Sequence, residues 1–202
     1  MKRIGMFVVV TLLAAAGCGS KEPAAAPPPA TTAAGSTQPS ATASAAPSAS
    51  PDSLIEFTVD GAGPYQLGAM LTTLQATPGL DEVTAAGAVC PGNTNARGTG
   101  TWRDIRLSFR KDGTLYLAVN RSPSIPTPSG AWLGTTLAEL KSIYAGIPGQ
   151  ELKRGSGTAY LVTTLSGRGI LFDLDVNKKV ISMAAGDASY LKASYQGGTD
   201  FC

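Results

Sequence analysis

Gly63-Pro64-Tyr65-Gln66-Leu67-Gly68-Ala69-Met70-Leu71-Thr72-Thr73-Leu74 carries a Leu-Gly step that returns at Leu133, inside Gly130-Ala131-Trp132-Leu133-Gly134-Thr135-Thr136-Leu137-Ala138-Glu139-Leu140. In each copy Leu-Gly precedes leucines at helical spacing: Leu67, Leu71 and Leu74, then Leu133, Leu137 and Leu140. That spacing predicts two short amphipathic helices, each with one apolar face. Thr136 and Glu139 have the spacing of a capping box, and Ile143 with Tyr144 extends the second stripe. Pro78-Gly79 ends the first helix; Gly146 and Pro148-Gly149 end the second.

Strand-like segments follow each helix. Trp102 to Arg110 and Thr114 to Asn120 flank the hairpin turn Lys111-Asp112-Gly113, with Ile105, Leu107, Phe109, Leu115, Leu117 and Val119 alternating inward. In the second copy Ala159 to Leu165, Gly169 to Leu174 and Lys179 to Ala184 are joined by Ser166-Gly167-Arg168 and Asp175-Val176-Asn177. Phe109 and Phe172 occupy comparable places in the two ladders. A strand from Leu54 to Val59, with Ile55, Phe57 and Val59 inward, opens the set. The expected fold class is α+β: two tandem repeats of a short helix followed by an antiparallel β-ladder, spanning about 53–122 and 129–202 of a single 53–202 domain. The connector Asn120 to Gly130 contains three prolines, which would stiffen it.

Outside this domain the chain reads as an address. Lys2 and Arg3 precede an apolar run, Ile4 to Ala16, too short to span a bilayer comfortably; residues 1–17 read as a secretory signal peptide. It ends Ala15-Ala16-Gly17-Cys18, which resembles the lipobox of bacterial lipoproteins, with Ala15 where that family usually carries Leu. The resemblance implies cleavage before Cys18, a diacylglyceryl group on its sulfur, and a protein held at the extracytoplasmic face of the cell membrane. Residues 18–52 are then the lipidated cysteine and a linker of Ala, Pro, Ser, Thr and Gly that buries too little apolar surface to fold. As a flexible chain this linker reaches about 30–35 Å.

With Cys18 used by lipid, Cys90 and Cys202 remain as one pair in an oxidising compartment, and the expected bridge joins them. Closing a loop of that size contributes about 4.7 kcal/mol in the chain-entropy picture. Two cysteines and no histidine build no metal site, and no cofactor motif is present: the glycine-rich stretch Gly92 to Gly100 lacks the Gly-Lys-Ser/Thr end of a phosphate loop and reads as a loop near Cys90. Removing Lys2 and Arg3 leaves 14 basic and 14 acidic residues, so nothing suggests nucleic acid.

Tandem units of a small helix on an antiparallel sheet resemble the secreted β-lactamase inhibitor proteins of actinobacteria, and a single unit resembles small lipoproteins of envelope assembly. Both resemblances rest on the Leu-Gly-x-x-Leu-x-x-Leu stretches quoted above, about a dozen residues per copy, and both imply a protein that binds another and catalyses nothing. The inhibitors usually carry a disulfide in each half, whereas this domain has cysteines for one.

Zero histidines exclude Ser-His-Asp and Cys-His catalysis. Asp173 and Asp175, alternating on one strand, have the spacing of a carboxylate pair, though a strand entering an Asp/Asn turn accounts for them as well. Two readings follow. The first is a lipid-anchored binding or scaffolding module that recognises a protein or envelope component, with Trp102, Arg103, Arg121 and Trp132, beside loops at element ends, as the residues to inspect for a partner surface. The second is a small extracytoplasmic hydrolase of cell-wall or ester substrates, working through carboxylates.

Overall fold

The structure, a computed structural model, describes residues 55–87, 90–199 and 201. The signal segment, Cys18, the linker and Cys202 lie outside the described residues. Three two-residue strands come first, β1 (Phe57–Thr58), β2 (Gly61–Ala62) and β3 (Tyr65–Gln66), forming a small antiparallel meander. Helix α1 (Leu71–Ala76) leads to β4 (Asp81–Ala85), β5 (Thr94–Arg97), a single 3-10 turn over Gly100–Trp102, β6 (Ile105–Phe109) and β7 (Leu115–Asn120). Helix α2 (Leu137–Ile143) leads to β8 (Gly149–Arg154), β9 (Gly157–Thr163), β10 (Arg168–Leu174) and β11 (Val180–Asp187), and α3 (Ala188–Gly197) follows. The architecture is α+β, with one antiparallel sheet in the order β4-β5-β6-β7-β11-β10-β9-β8.

Each Leu-Gly step does the same local work. Gly68 and Gly134 both sit at φ 94°, a conformation that costs glycine nothing. Gly68 N–H donates to Leu115 O and Leu71 N–H to Gly113 O, while Leu115 N–H donates to Ala69 O. Gly134 N–H donates to Val180 O, Leu137 N–H to Lys178 O, and Val180 N–H to Thr135 O. The start of each helix is thereby stitched to the hairpin that follows it, β6–β7 or β10–β11. The helices themselves begin later than the leucine spacing predicts: Leu67 and Leu133 lie in the tight turns ahead of them, packed against the core from outside the helix. Ile143 is exposed, and Tyr144 alone carries the stripe inward.

Both hairpins carry a β-bulge, between Ser108 and Phe109 against β7 and between Asp173 and Leu174 against β11. An extra residue on one strand shifts the inward alternation beyond it. Leu117 and Val119, expected inward with Ile105 and Leu107, therefore face the other side of the sheet, and Ala118 takes the inward place. Phe109 follows its bulge directly, opposite Leu115, whereas Phe172 precedes its own and Leu174, opposite Val180, follows it. At the start of the domain Phe57 is fully buried but Ile55 is 49% exposed, because β1 covers only two residues. The stretch expected as a glycine-rich loop contains β5.

The main core lies between α1, α2 and one face of the sheet, around Phe57, Tyr65, Leu107, Phe109, Leu140 and Phe172. Burying side chains of this size contributes about 1.5–3 kcal/mol each. A second cluster, Leu152, Leu161, Leu171, Ala184, Leu191 and Tyr195, lies on the opposite face, where α3 covers β8 to β11. Asp187 caps α3, its Oδ1 accepting from Tyr190 N–H at 2.8 Å, and Gly198 ends it at φ 70°.

The connector between the halves belongs to the core. Asn120 Nδ2 donates to Ile125 O at 2.9 Å, and Ser122 N–H donates to Asn120 Oδ1 at 2.7 Å. Ile125 is fully buried, Phe57 N–H donates to Pro126 O, and the Thr127 and Tyr144 hydroxyls share a hydrogen bond of 2.8 Å.

Candidate functional site

Helix α3 covers only part of its face of the sheet; the outward side of β5, β6 and β7 carries a band of polar side chains. Alternation aims them. With Ile105, Leu107 and Phe109 in the core, Arg106 and Ser108 must point out, and Ala96 in the core puts Asn95 and Arg97 out. The register sets Arg97 opposite Arg106, Asn95 opposite Ser108, and Arg106 opposite Val119. Arg121, two residues past Val119, is a diagonal neighbour of Arg106 on the same face. Arg97, Arg103, Arg106 and Arg121 line one groove together with Asp104.

Beside this groove lies a small cavity of about 110 Å³. Arg106 and Arg121 form its cationic wall, and Leu117 and Val119, 2% and 6% exposed, its apolar floor. Ser108 Oγ donates to Asn95 Oδ1 at 3.0 Å, which leaves the Asn95 amide nitrogen as a donor. Ser182 and Asp173, cross-strand partners on β11 and β10, complete the far side, and the Asp173 carboxylate helps to raise the pKa of Tyr195 after burial itself. Among the described residues only Arg97 of the four arginines is in an ion pair, with Glu82 Oε2 at 3.0 Å.

Cys90 and Phe201 both line the same cavity. Cys90 is buried and disulfide-bonded, while its expected partner Cys202 lies outside the described residues. Phe201 is clasped: the Tyr116 and Tyr190 hydroxyls both donate to its carbonyl, and the two tyrosine rings meet edge to face at 5.5 Å. Burial pushes the Tyr190 hydroxyl up to about 12.

Of the four residues read as a partner surface, the fold brings Arg103 and Arg121 together and separates the tryptophans from them. Trp102 leans on the main core, its ring filling the space that a side chain at Gly63 would need. Trp132 is 56% exposed in a shallow groove with Thr135, Glu139, Ser142 and Ile143 at the start of α2, sharing no residue with the arginine groove. Arg97 and Arg106 were not anticipated. The available signal was Arg106 and Ser108 interleaved with three core residues on an otherwise apolar strand.

The two aspartates part company. The bulge after Asp173 breaks their alternation, and Asp175 turns its Oδ1 back to accept from Asn177 N–H and Lys179 N–H, both at 2.8 Å. Asp173 lines the cavity; Asp175 does not. Among the described residues no group of three or more His, Cys, Asp or Glu is placed to hold a metal ion, and no helix is long and apolar enough to cross a membrane.

No model of a known protein family matches the chain, and no curated protein does. Among solved structures it is similar to an extracellular protein containing a SCP domain from Bacillus anthracis str. Ames, at 10% identity and a TM-score of 0.42 over 62% of this chain and 46% of that one. It thus spans under half the length of that protein. It is also similar to the uncharacterized protein yfeY from Escherichia coli, at 16% identity and a TM-score of 0.41 over 65% of this chain and 99% of that one. At these scores neither likeness bears on the site.

Proposed function

We propose that this chain is a lipid-anchored cell-surface module that binds another protein through the open half of its sheet. The observation that carries the reading is the arginine face: four exposed guanidinium-bearing residues gathered along one groove, with a like-charged pair, Arg97 and Arg106, directly opposite each other. Such a pairing works against the fold, and arginine is among the residues that protein interfaces use as anchors. Anchorage through Cys18 and the linker 18–52 would hold this face outside the cell.

Two further parts of the reading concern the scaffold. The domain is two copies of one unit, a view supported by the matching hydrogen bonds around Gly68 and Gly134, the two bulges, and a sheet whose middle joins the last ladder strand of each half, β7 to β11. The disulfide of Cys90 goes to Cys202, a pairing supported by Phe201, one residue away, lining the same cavity as Cys90.

Two measurements test this. Intact mass of detergent-extracted protein, with and without Cys18→Ala and reductant, should show a diacylglyceryl adduct on a chain starting at Cys18 and a two-proton gain on reduction. Photo-crosslinking on whole cells from p-benzoylphenylalanine at Thr84, beside Arg97 and Arg106, should give a discrete protein adduct that the same group at Leu165, a fully exposed turn residue, does not. Equal smears from both positions would overturn the docking face.

A further inference from the structure

The cavity beside the arginine groove is small, more polar than apolar and lined by guanidinium on one side, and those three properties constrain what enters it. Water occupies about 30 Å³ per molecule in the liquid, so about 110 Å³ holds the equivalent of three or four waters. That has room for a carboxylate with one or two methylenes. The floor of Leu117 and Val119 favours the methylenes; Arg106, Arg121 and the amide of Asn95 supply donors for the two oxygens. Guanidinium groups match a planar carboxylate two bonds at a time. Asp104 in the adjoining groove works against an extended polyanion, and the 14 basic and 14 acidic residues left after the signal segment give no long-range pull towards one. A protein surface, with acids set among neutral and basic groups, meets both conditions.

We infer that the cavity between Arg106 and Arg121 is an anchoring pocket for an aspartate or glutamate side chain of the protein partner, stem on Leu117 and Val119 and carboxylate between the two arginines. This rests on the open sheet face being the docking surface. The test uses the full chain in detergent, labelled with nitrogen-15, and follows the arginine Nε–H resonances by NMR. The probes are N-acetylglutamate methylamide, its glutamine counterpart and inorganic phosphate. The glutamate probe should shift Arg106 and Arg121 saturably at millimolar concentration while leaving Arg154, which stacks on Tyr195 across the α3 contact, unmoved; the glutamine probe should do neither. Arg121→Gln should weaken that binding roughly tenfold, and Arg121→Lys should restore only part of it; both side chains are exposed, so folding is checked by an unchanged melting temperature. Equal shifts at all arginines, tighter saturation by phosphate, or no shift at all would overturn the pocket. If the pocket fails while the Thr84 crosslink still yields a discrete adduct, the docking face stands and only its anchoring chemistry is wrong. If both fail, the face itself is wrong.

Discussion

Helix α2 starts with a complete capping box and α1 with none, and exchanging that chemistry measures how alike the two helix starts are. At α2, Thr136 N–H donates to Glu139 Oε2 at 2.7 Å, Thr136 Oγ1 donates to the same oxygen at 2.8 Å, and Glu139 N–H donates back to Thr136 Oγ1 at 3.3 Å. At α1 the N-cap is Met70, with no side-chain cap, although its backbone (φ −84°, ψ 139°) is extended like that of Thr136 (φ −78°, ψ 158°). Thr136→Ala removes the acceptor for one orphan N–H and should cost about 1 kcal/mol, within about 0.5–2. For a domain of this size that lowers the melting temperature by about 2–4 °C. Met70→Thr with Thr73→Glu should build the box at α1 and return about 0.5–1 kcal/mol. The gain is smaller because the Thr114 hydroxyl gives up its contact with the Met70 sulfur, at 3.9 Å. Urea unfolding followed by circular dichroism reads both. A loss below about 0.3 kcal/mol for Thr136→Ala would refute the capping account. A full loss there, with no gain from the double substitution, would show that the two helix starts differ in geometry and that the Leu-Gly match is superficial.

Acid should unfold this protein gradually. The Asp112, Glu139 and Glu151 carboxyls are held below their ordinary range: Asp112 by the Thr114 backbone N–H, Glu139 by the Thr136 backbone N–H, and Glu151 by hydrogen bonds from Lys153 and then Lys141. The fold binds their charged forms, so the stability they give is present above the unfolded carboxylate pKa near 4 and lost as pH falls below it; urea midpoints that stay flat from about pH 5 to about pH 2 would contradict this. Tyr190 holds its proton up to about 12 in the fold, so its contribution is present below the unfolded tyrosine pKa near 10 and lost as pH rises through the folded value. Burial raises Tyr144 and Tyr195 as well, so absorbance titration of tyrosinate should show a late-titrating set from which Tyr190→Phe removes one group. Gly98→Ala places a methyl 2.6 Å from Trp102 O and 2.8 Å from Tyr65 Cε2 and should cost about 1–3 kcal/mol; Gly146→Ala, which meets nothing within 4 Å, should be close to neutral by the same thermal melt.

What could be read from residues alone followed side-chain patterning. The β6–β7 and β9–β10–β11 ladders were legible because Ile105, Leu107, Phe109, Ile170 and Phe172 alternate into a core, and Thr136 with Glu139 announced a helix start. Strand β4, Asp81–Ala85, exposes every side chain and is held by backbone pairing to β5 and the Glu82–Arg97 ion pair, so it leaves no apolar period. Strand β8 buries Leu152 alone. Helix α3 buries Ala188 and Ser194 beside Leu191 and Tyr195, and small residues on the inward face mute its periodicity. The bulges were invisible because a one-residue insertion leaves composition and spacing unchanged while sending Leu117 and Val119 to the other face. The candidate site was half legible for that reason: Arg103 and Arg121 stood out beside loops, but Arg97 needed a strand that no apolar pattern marks.

The pinned connector bears on how fast a partner could arrive. Asn120 is paired in the sheet with Ile105 on one side and Met183 on the other, and its amide holds the chain through Ile125. Arg121 therefore springs from a backbone that is already fixed before any encounter, leaving only its side-chain torsions to be ordered. Association at this face needs no loop closure and no segment that folds on contact. It becomes a rigid-body event, its rate set by orientation and by local electrostatic steering. Such a rate should fall with added salt while the rate of departure, governed by the apolar floor of Leu117 and Val119, should barely change.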